Sequence, residues 1–231
     1  MKRLAIIPAR GGSKRIPKKN IRLFHGRPMI LWVLEQIRAS DQFDVIHVST
    51  DDKETLELVS AAGFSPEFMR NPEAATDSAP LSDVKRYVLE KYSERGFEFD
   101  IVGIFFATAV FLDKNCISDA LKQFEINNQV NEMISVTKFS VPIEWALKMN
   151  GNGILLPVDS IGITKRSQDL PVSWHETGEF VLYKEKSFTL AQQTRTLKGG
   201  YSVNHLSVDI DTPEDLVKAE QLFYLKNHIP L

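Results

Sequence analysis

Short apolar runs alternate along most of this chain with stretches in which apolar residues recur every three or four positions. Residues 4–7, 45–49, 101–106 and 133–137 are brief runs rich in β-branched and aromatic side chains, the pattern of buried strands. Residues 30–39, 83–95 and 116–126 have helical spacing; in 83–95 it falls on Val84, Tyr87, Val88 and Lys91. Thr50-Asp51-Asp52 reads as the cap of a helix through Ala62, and Asp211-Thr212-Pro213 as the start of one over 213–224. Residues 64–69 and 206–210 are expected as two further strands.

Strands that alternate with helices predict an α/β fold with a doubly wound, mostly parallel sheet. Helices on both faces explain why the strands are continuous apolar runs. Residues 139–190 break the rhythm with Pro142, Pro157, Pro171, Gly151 and Gly153, and hold only short strand-like pieces such as 180–183. That segment is expected as an insertion on a single domain covering 1–231.

Composition narrows the classes. The chain has 231 residues, 43% apolar and 25% charged, with a formal net charge of −2. A near-neutral balance argues against a general nucleic-acid binder. The charge is unevenly spread: Lys2, Arg3, Arg10, Lys14, Arg15, Lys18, Lys19, Arg22 and Arg27 all precede the first acidic residue, Glu35. A local positive field on a neutral protein suits a compact polyanion such as a nucleoside triphosphate. Cys116 is the single cysteine, so no intramolecular disulfide forms. No run reaches the roughly 18 apolar residues of a membrane span. The apolar stretch after Met1-Lys2-Arg3 is shorter than a signal-peptide core. A cytoplasmic protein without membrane partners is expected.

The densest local signal is Ile7-Pro8-Ala9-Arg10-Gly11-Gly12-Ser13-Lys14-Arg15-Ile16-Pro17-Lys18-Lys19-Asn20, directly after the first strand. Ligands of open α/β sheets sit beyond the carboxyl ends of strands. Gly11 and Gly12 allow close backbone approach to an anion, and Ser13 adds a hydroxyl donor. Arg10, Lys14 and Lys19 supply charge for a triphosphate, Arg10 with a two-pronged grip. A solvated basic turn is the alternative on spacing alone. The chain has no G-x-x-x-x-G-K-[ST] and no G-x-G-x-x-G, which excludes a P-loop NTPase and argues against a dinucleotide fold.

Asp209 and Asp211 follow an expected strand and flank one residue, so both carboxylates are expected on one face of a strand end. Paired hard carboxylates suit Mg²⁺; an Asp-rich helix cap is the alternative. A dehalogenase-type phosphatase is excluded because Pro213 stands where its threonine belongs. His25, His47, His205 and His228 show no metal-ligand spacing.

The stretch from Ile7 to Asn20 resembles the signature of the CMP-sialic acid synthetases (acylneuraminate cytidylyltransferases). Val48-Ser49-Thr50-Asp51-Asp52, Arg70-Asn71-Pro72-Glu73-Ala74-Ala75-Thr76-Asp77 and Asp209-Ile210-Asp211-Thr212-Pro213-Glu214-Asp215 resemble further motifs of that family. Asn71 and Val110 stand where the family has proline. Pro142-Ile143-x-x-Ala146-Leu147, Arg166-Ser167-Gln168-Asp169-Leu170 and His175-x-x-Gly178-x-Phe180 resemble the branch that activates pseudaminic acid; the branches for N-acetylneuraminate and legionaminate are the alternatives.

The resemblance implies a Rossmann-like nucleotidyltransferase that joins CTP to a nonulosonic acid. It implies nucleotide contacts from Ala9, Arg10, Gly11, Gly12, Ser13, Lys14, Lys19, Asn20, Ala107 and Thr108. Sugar contacts would come from Arg70, Arg166, Gln168, His175 and Phe180. Arg10, Lys19, Asp209 and Asp211 would carry the reaction, with Mg²⁺ on the two aspartates. The insertion would make a homodimer. A non-catalytic nucleotide or sugar-acid sensor on the same fold is the reading from another class, and the intact Asp209 and Asp211 speak against it.

Overall fold

A computed structural model describes residues 1–71, 80–185 and 197–228. The motif residues Pro72 to Asp77 and the end of the expected insertion, 186–190, lie outside the described residues.

The elements run β1 (Arg3–Pro8), β2 (Leu23–Phe24), β3 (Arg27–Pro28), α1 (Met29–Ser40), β4 (Val45–Ser49), α2 (Lys53–Ala61), α3 (Leu81–Ser93), β5 (Ile101–Phe105) and α4 (Lys114–Ile126). There follow β6 (Glu132–Lys138), β7 (Leu147–Met149), β8 (Leu155–Pro157), β9 (Trp174–Lys184), β10 (Lys198–Ser202) and α5 (Pro213–His228). The main sheet has the order β10-β6-β9-β5-β1-β4. β1 pairs parallel with β4 (Ile7 opposite Val48) and with β5 (Leu4 opposite Val102), while β9 runs antiparallel to β5 (Phe180 opposite Phe105).

Alternate residues of β1 feed two cores. Ala5 and Ile7 pack with Ile30, Val33, Leu34 and Ile37 of α1 and with Ile117, Leu121 and Phe124 of α4. Leu4 and Ile6 face the other way, onto Val88 and Tyr92 of α3. Covering both faces is what makes β1 apolar throughout. A third cluster joins Leu216 and Ala219 of α5 to Ile16, Phe24, Met29, Val110, Phe111 and Ile210. Among the described residues no helix is long and apolar enough to cross a membrane.

Two expected strands do not form. Residues 64–69 have no strand pairing, because Pro66 removes a ladder donor and the segment serves through its rings. Phe64 is buried under the Arg38 guanidinium, 4.3 Å from the ring centroid, and Phe68 stacks on His47 at 4.4 Å. Residues 206–210 are likewise outside the sheet, so Asp209 and Asp211 do not end a strand. The polar groups that follow turn to the start of α5: the Asp211 and Thr212 N–H groups both donate to the Asp215 carboxylate. β10, by contrast, was masked in sequence by Gly199-Gly200; a Cβ at Gly199 would stand 2.9 Å from Val130 Cγ1.

The chain divides into two compact units, Met1–Ser135 with Thr177–Leu231, and Val136–Glu176. The second unit holds the β7–β8 hairpin and short helical turns at Ile143–Trp145, Gly162–Thr164 and Ser167–Asp169. The Asp159 carboxylate accepts from the N–H groups of Ile161 and Gly162, and Trp145 Nε1 donates to the Lys165 carbonyl.

Candidate active site

β1 has β4 on one side and β5 on the other. The chain leaves β1 through α1 toward β4, and leaves β5 through α4 away from β1. The carboxyl ends of β1 and β5 therefore form the switch point at which open α/β sheets bind ligands. Three loops emerge at this end: Ala9 to Ser13 after β1, Thr50 to Asp52 after β4, and Phe106 to Thr108 after β5.

The loop after β1 is held from several sides. The Ala9 N–H donates to the Ser49 carbonyl at 2.9 Å, and the Gly11 N–H to Asp51 Oδ1 at 3.1 Å. A Cβ on Gly11 would stand 2.9 Å from the Cβ of Asp52, so glycine is required here by close approach. Asp52 caps α2 by accepting from the Thr55 N–H and hydroxyl. Asn20 Nδ2 donates to the Arg10 carbonyl at 3.0 Å, which closes the loop on itself. Lys18, in the left-handed region, pairs with Glu54.

Lys19 carries the loop to the far end of the chain. Its Nζ donates to the Ile210 carbonyl at 2.9 Å and to Asp211 Oδ1 at 3.0 Å, while Arg15 reaches Asp211 Oδ2 at 2.9 Å. Burial works against ionisation of Asp211, but the Lys19 hydrogen bond and the Lys19 and Arg15 charges outweigh it and hold its carboxyl below the ordinary range. Asp209 goes the other way: burial, then the neighbouring Asp211 charge, push its carboxyl up. Asp209 lies against Gly178 of β9, whose Cβ would be 3.2 Å from Asp209 Cγ.

Arg70, expected on the sugar, is 5% exposed and packs at the end of β4. It donates to the Ser49 hydroxyl and carbonyl, and its own N–H donates to the Thr50 carbonyl. Burial lowers its pKa, opposed by Asp51 and aided by Arg10, which places it in the field of both. Phe180, also expected on the sugar, is a core residue at 1% exposure, with its ring against Phe105 and its backbone bonded to the Ser135 hydroxyl. Ala107 and Thr108 are buried where the chain turns after β5. Arg166, Gln168 and His175 belong to the second unit and are exposed. There Arg166 pairs with Asp169 at 2.9 Å, and the His175 ring lies tilted against Phe139, with centroids 4.8 Å apart.

Sequence reading assigned Asp51 and Arg15 no role in the site. The Thr50-Asp51-Asp52 run signalled a helix cap, and only the folded contact of Gly11 with Asp51 reveals the brace. Among the described residues no group of three or more His, Cys, Asp or Glu could hold a metal by itself. Two carboxylates beside a basic loop do fit Mg²⁺, which keeps several waters and takes phosphate oxygens as ligands.

A basic loop at the switch point, joined through Lys19 to an aspartate pair, defines a nucleotidyltransferase. Similarity to known proteins gives the particular family. The cytidylyltransferase family model matches residues 4–229, and the chain belongs to that family. It is 35% identical to pseudaminic acid cytidylyltransferase of Campylobacter jejuni subsp. jejuni over 99% of this chain and 98% of that protein. It is 29% identical to CMP-N,N'-diacetyllegionaminic acid synthase of Legionella pneumophila subsp. pneumophila, over 97% of each. Among solved structures, a CMP:2-keto-3-deoxy-manno-octonic acid synthetase complexed with CTP shares the fold. Its TM-score is 0.73 at 20% identity, covering 98% of this chain and 100% of that one.

Proposed function

We propose that this cytidylyltransferase joins CTP to pseudaminic acid, releasing pyrophosphate and the CMP-sugar. The observation that carries the choice of sugar is the 35% identity, across the whole length, to enzymes named for pseudaminic acid. Legionaminic acid is the second reading, favoured by the relative at 29%.

The reaction forms a bond from the sugar's anomeric oxygen to the α-phosphorus of CTP and breaks the bond to the β,γ-pyrophosphate. Such chemistry is mainly positioning and charge stabilisation. Arg10, Lys14, Arg15 and Lys19 are the cations that face the triphosphate, on a loop kept rigid by Asp51 and Asn20. Ala107 and Thr108 lie at the end of β5 for the nucleoside. Asp209 and Asp211 would hold Mg²⁺, which when bound neutralises phosphate charge and favours the ionised sugar hydroxyl. Lys19 and Arg15 pair with the two oxygens of Asp211, so a triphosphate that draws them away would free that carboxylate. Arg166 is the cation for the sugar carboxylate, with Gln168 and His175 for its hydroxyl and acylamino groups. The protein works in the cytoplasm as a homodimer.

The test is pyrophosphate release from CTP with pseudaminic, legionaminic and N-acetylneuraminic acids in parallel. Pseudaminic acid is expected to give the highest kcat/KM. A preference for either of the others overturns the choice of sugar, and turnover with none overturns the substrate class.

A further inference from the structure

One buried acid–base pair at the same end of the sheet belongs to none of the motifs. Glu179 lies in β9, and its carbonyl accepts from the Phe106 N–H at 3.0 Å, beside the turn that follows β5. Its side chain is 3% exposed, and His205 at 6% donates from Nε2 to Oε1 over 2.8 Å. Glu179 Oε2 and His205 Nδ1 are both buried, and among the described residues neither has a hydrogen-bond partner. Half-satisfied polar pairs of this kind contribute little to stability, and apolar residues of similar volume serve folding as well or better. Stability therefore does not account for the pair.

Its placement does. His205 lies on the segment between the end of β10 at Ser202 and the start of α5 at Pro213, four residues before Asp209. Asp209 rests against Gly178, the immediate neighbour of Glu179. The segment thus meets β9 at two successive residues: one holds its histidine, the other abuts its aspartate. That part of β9 is itself fixed, since the Thr177 hydroxyl and the Phe180 N–H both donate to Ser135 Oγ. Outside the sheet, the segment has no ladder of its own to set its height.

We propose that Glu179 and His205 are positioning residues: their buried hydrogen bond seats the 205–211 segment on β9 and so sets where Asp209 and Asp211 present their carboxylates to a divalent cation. This rests on the cation assignment made above. Groups that orient metal ligands through a hydrogen bond typically matter by about 10- to 100-fold in metal affinity.

Calorimetry of CTP binding to the full chain without sugar acid reads this apart from turnover. Affinity is measured in EDTA and in saturating Mg²⁺, and the ratio is the cation's contribution, with Asp209→Asn marking its loss. The double variant Glu179→Leu/His205→Leu removes the pair without leaving a lone buried charge. It is expected to lose about tenfold of that ratio, while its EDTA affinity stays unchanged. His205→Gln, which keeps a donor toward Glu179, is expected to restore the ratio. Glu179→Gln, which keeps the volume and weakens the bond, is expected to show a smaller loss in the same direction and serves if the double variant does not fold. A full ratio in these variants, with only the melting temperature changed, overturns the proposal alone. A wild-type protein whose CTP affinity ignores Mg²⁺ overturns the cation assignment and the proposal with it.

Discussion

Gly11 sits where a side chain has no room. A Cβ there would stand 2.9 Å from the Cβ of Asp52, and Asp52 cannot yield freely because it caps α2 through Thr55. Gly11→Ala is expected to displace loop or cap at a cost of about 1–3 kcal/mol, and to lower kcat/KM for CTP. Urea melts and steady-state kinetics measure the two effects; a variant normal in both contradicts the contact. His47 governs a different property. Burial, then the Arg70 and Arg95 charges, lower its pKa from 6.5 to about 3. The unfolded chain takes up a proton near pH 6.5 that the folded chain refuses until about pH 3. Stability is thus full above the unfolded value and falls as pH drops through that window, by about 1.4 kcal/mol per unit for one such group. His47→Leu is expected to flatten urea-melt stability between pH 6 and pH 4; equally steep curves would acquit His47. The contiguous loop with its cations is legible in the sequence because neighbours in the chain are neighbours in space. The Gly11–Asp51 bond and the seat of Arg70 on Ser49 are not, since they join residues 40 and 21 positions apart that spacing alone does not bring together.

At the scale of elements, β1, β4, β5 and the helices between them are readable because burial on both faces demands uninterrupted apolar runs. The same rule misleads where apolar content has another use. Phe64 and Phe68 cover helix and strand from an unpaired segment, and Ile210 is buried by α5 without a strand around it. β9 shows the limit for site residues. Its motif placed Phe180 on the sugar, but strand alternation turns that ring into the core, and no motif states which face a residue takes. Arg166 is a different case, on an exposed turn with only Asp169 as its described partner. Such a guanidinium exchanges a surface pair for a substrate carboxylate at little cost. Arg166→Ala is expected to raise KM for the sugar acid about 10- to 100-fold, the loss of one charge-assisted hydrogen bond. CTP affinity by calorimetry is expected to stay constant. Weakened CTP binding with an unchanged sugar KM would make this turn part of the nucleotide site.

At the scale of the whole molecule, Val136–Glu176 carries many exposed apolar side chains. Ile143, Trp145, Leu147, Met149, Ile154, Leu155, Leu156, Val158, Ile161, Val172 and Trp174 are all exposed, and the β7–β8 hairpin has no buried position. Large exposed apolar patches on soluble proteins mark interaction surfaces, and a two-stranded hairpin is at best marginal alone. A second copy of the chain is the cover that a closed twofold dimer supplies, since one patch then meets itself. Light scattering at micromolar concentration is expected to give twice the 26.2 kDa chain mass. Leu156→Asp and Met149→Asp place charge on the exposed hairpin, where a substitution costs the monomer only about 0.5 kcal/mol, and both are expected to shift the mass toward that of one chain. A wild-type monomer contradicts the dimer outright. Variants that stay dimeric move the interface off the hairpin and leave its apolar surface to another partner.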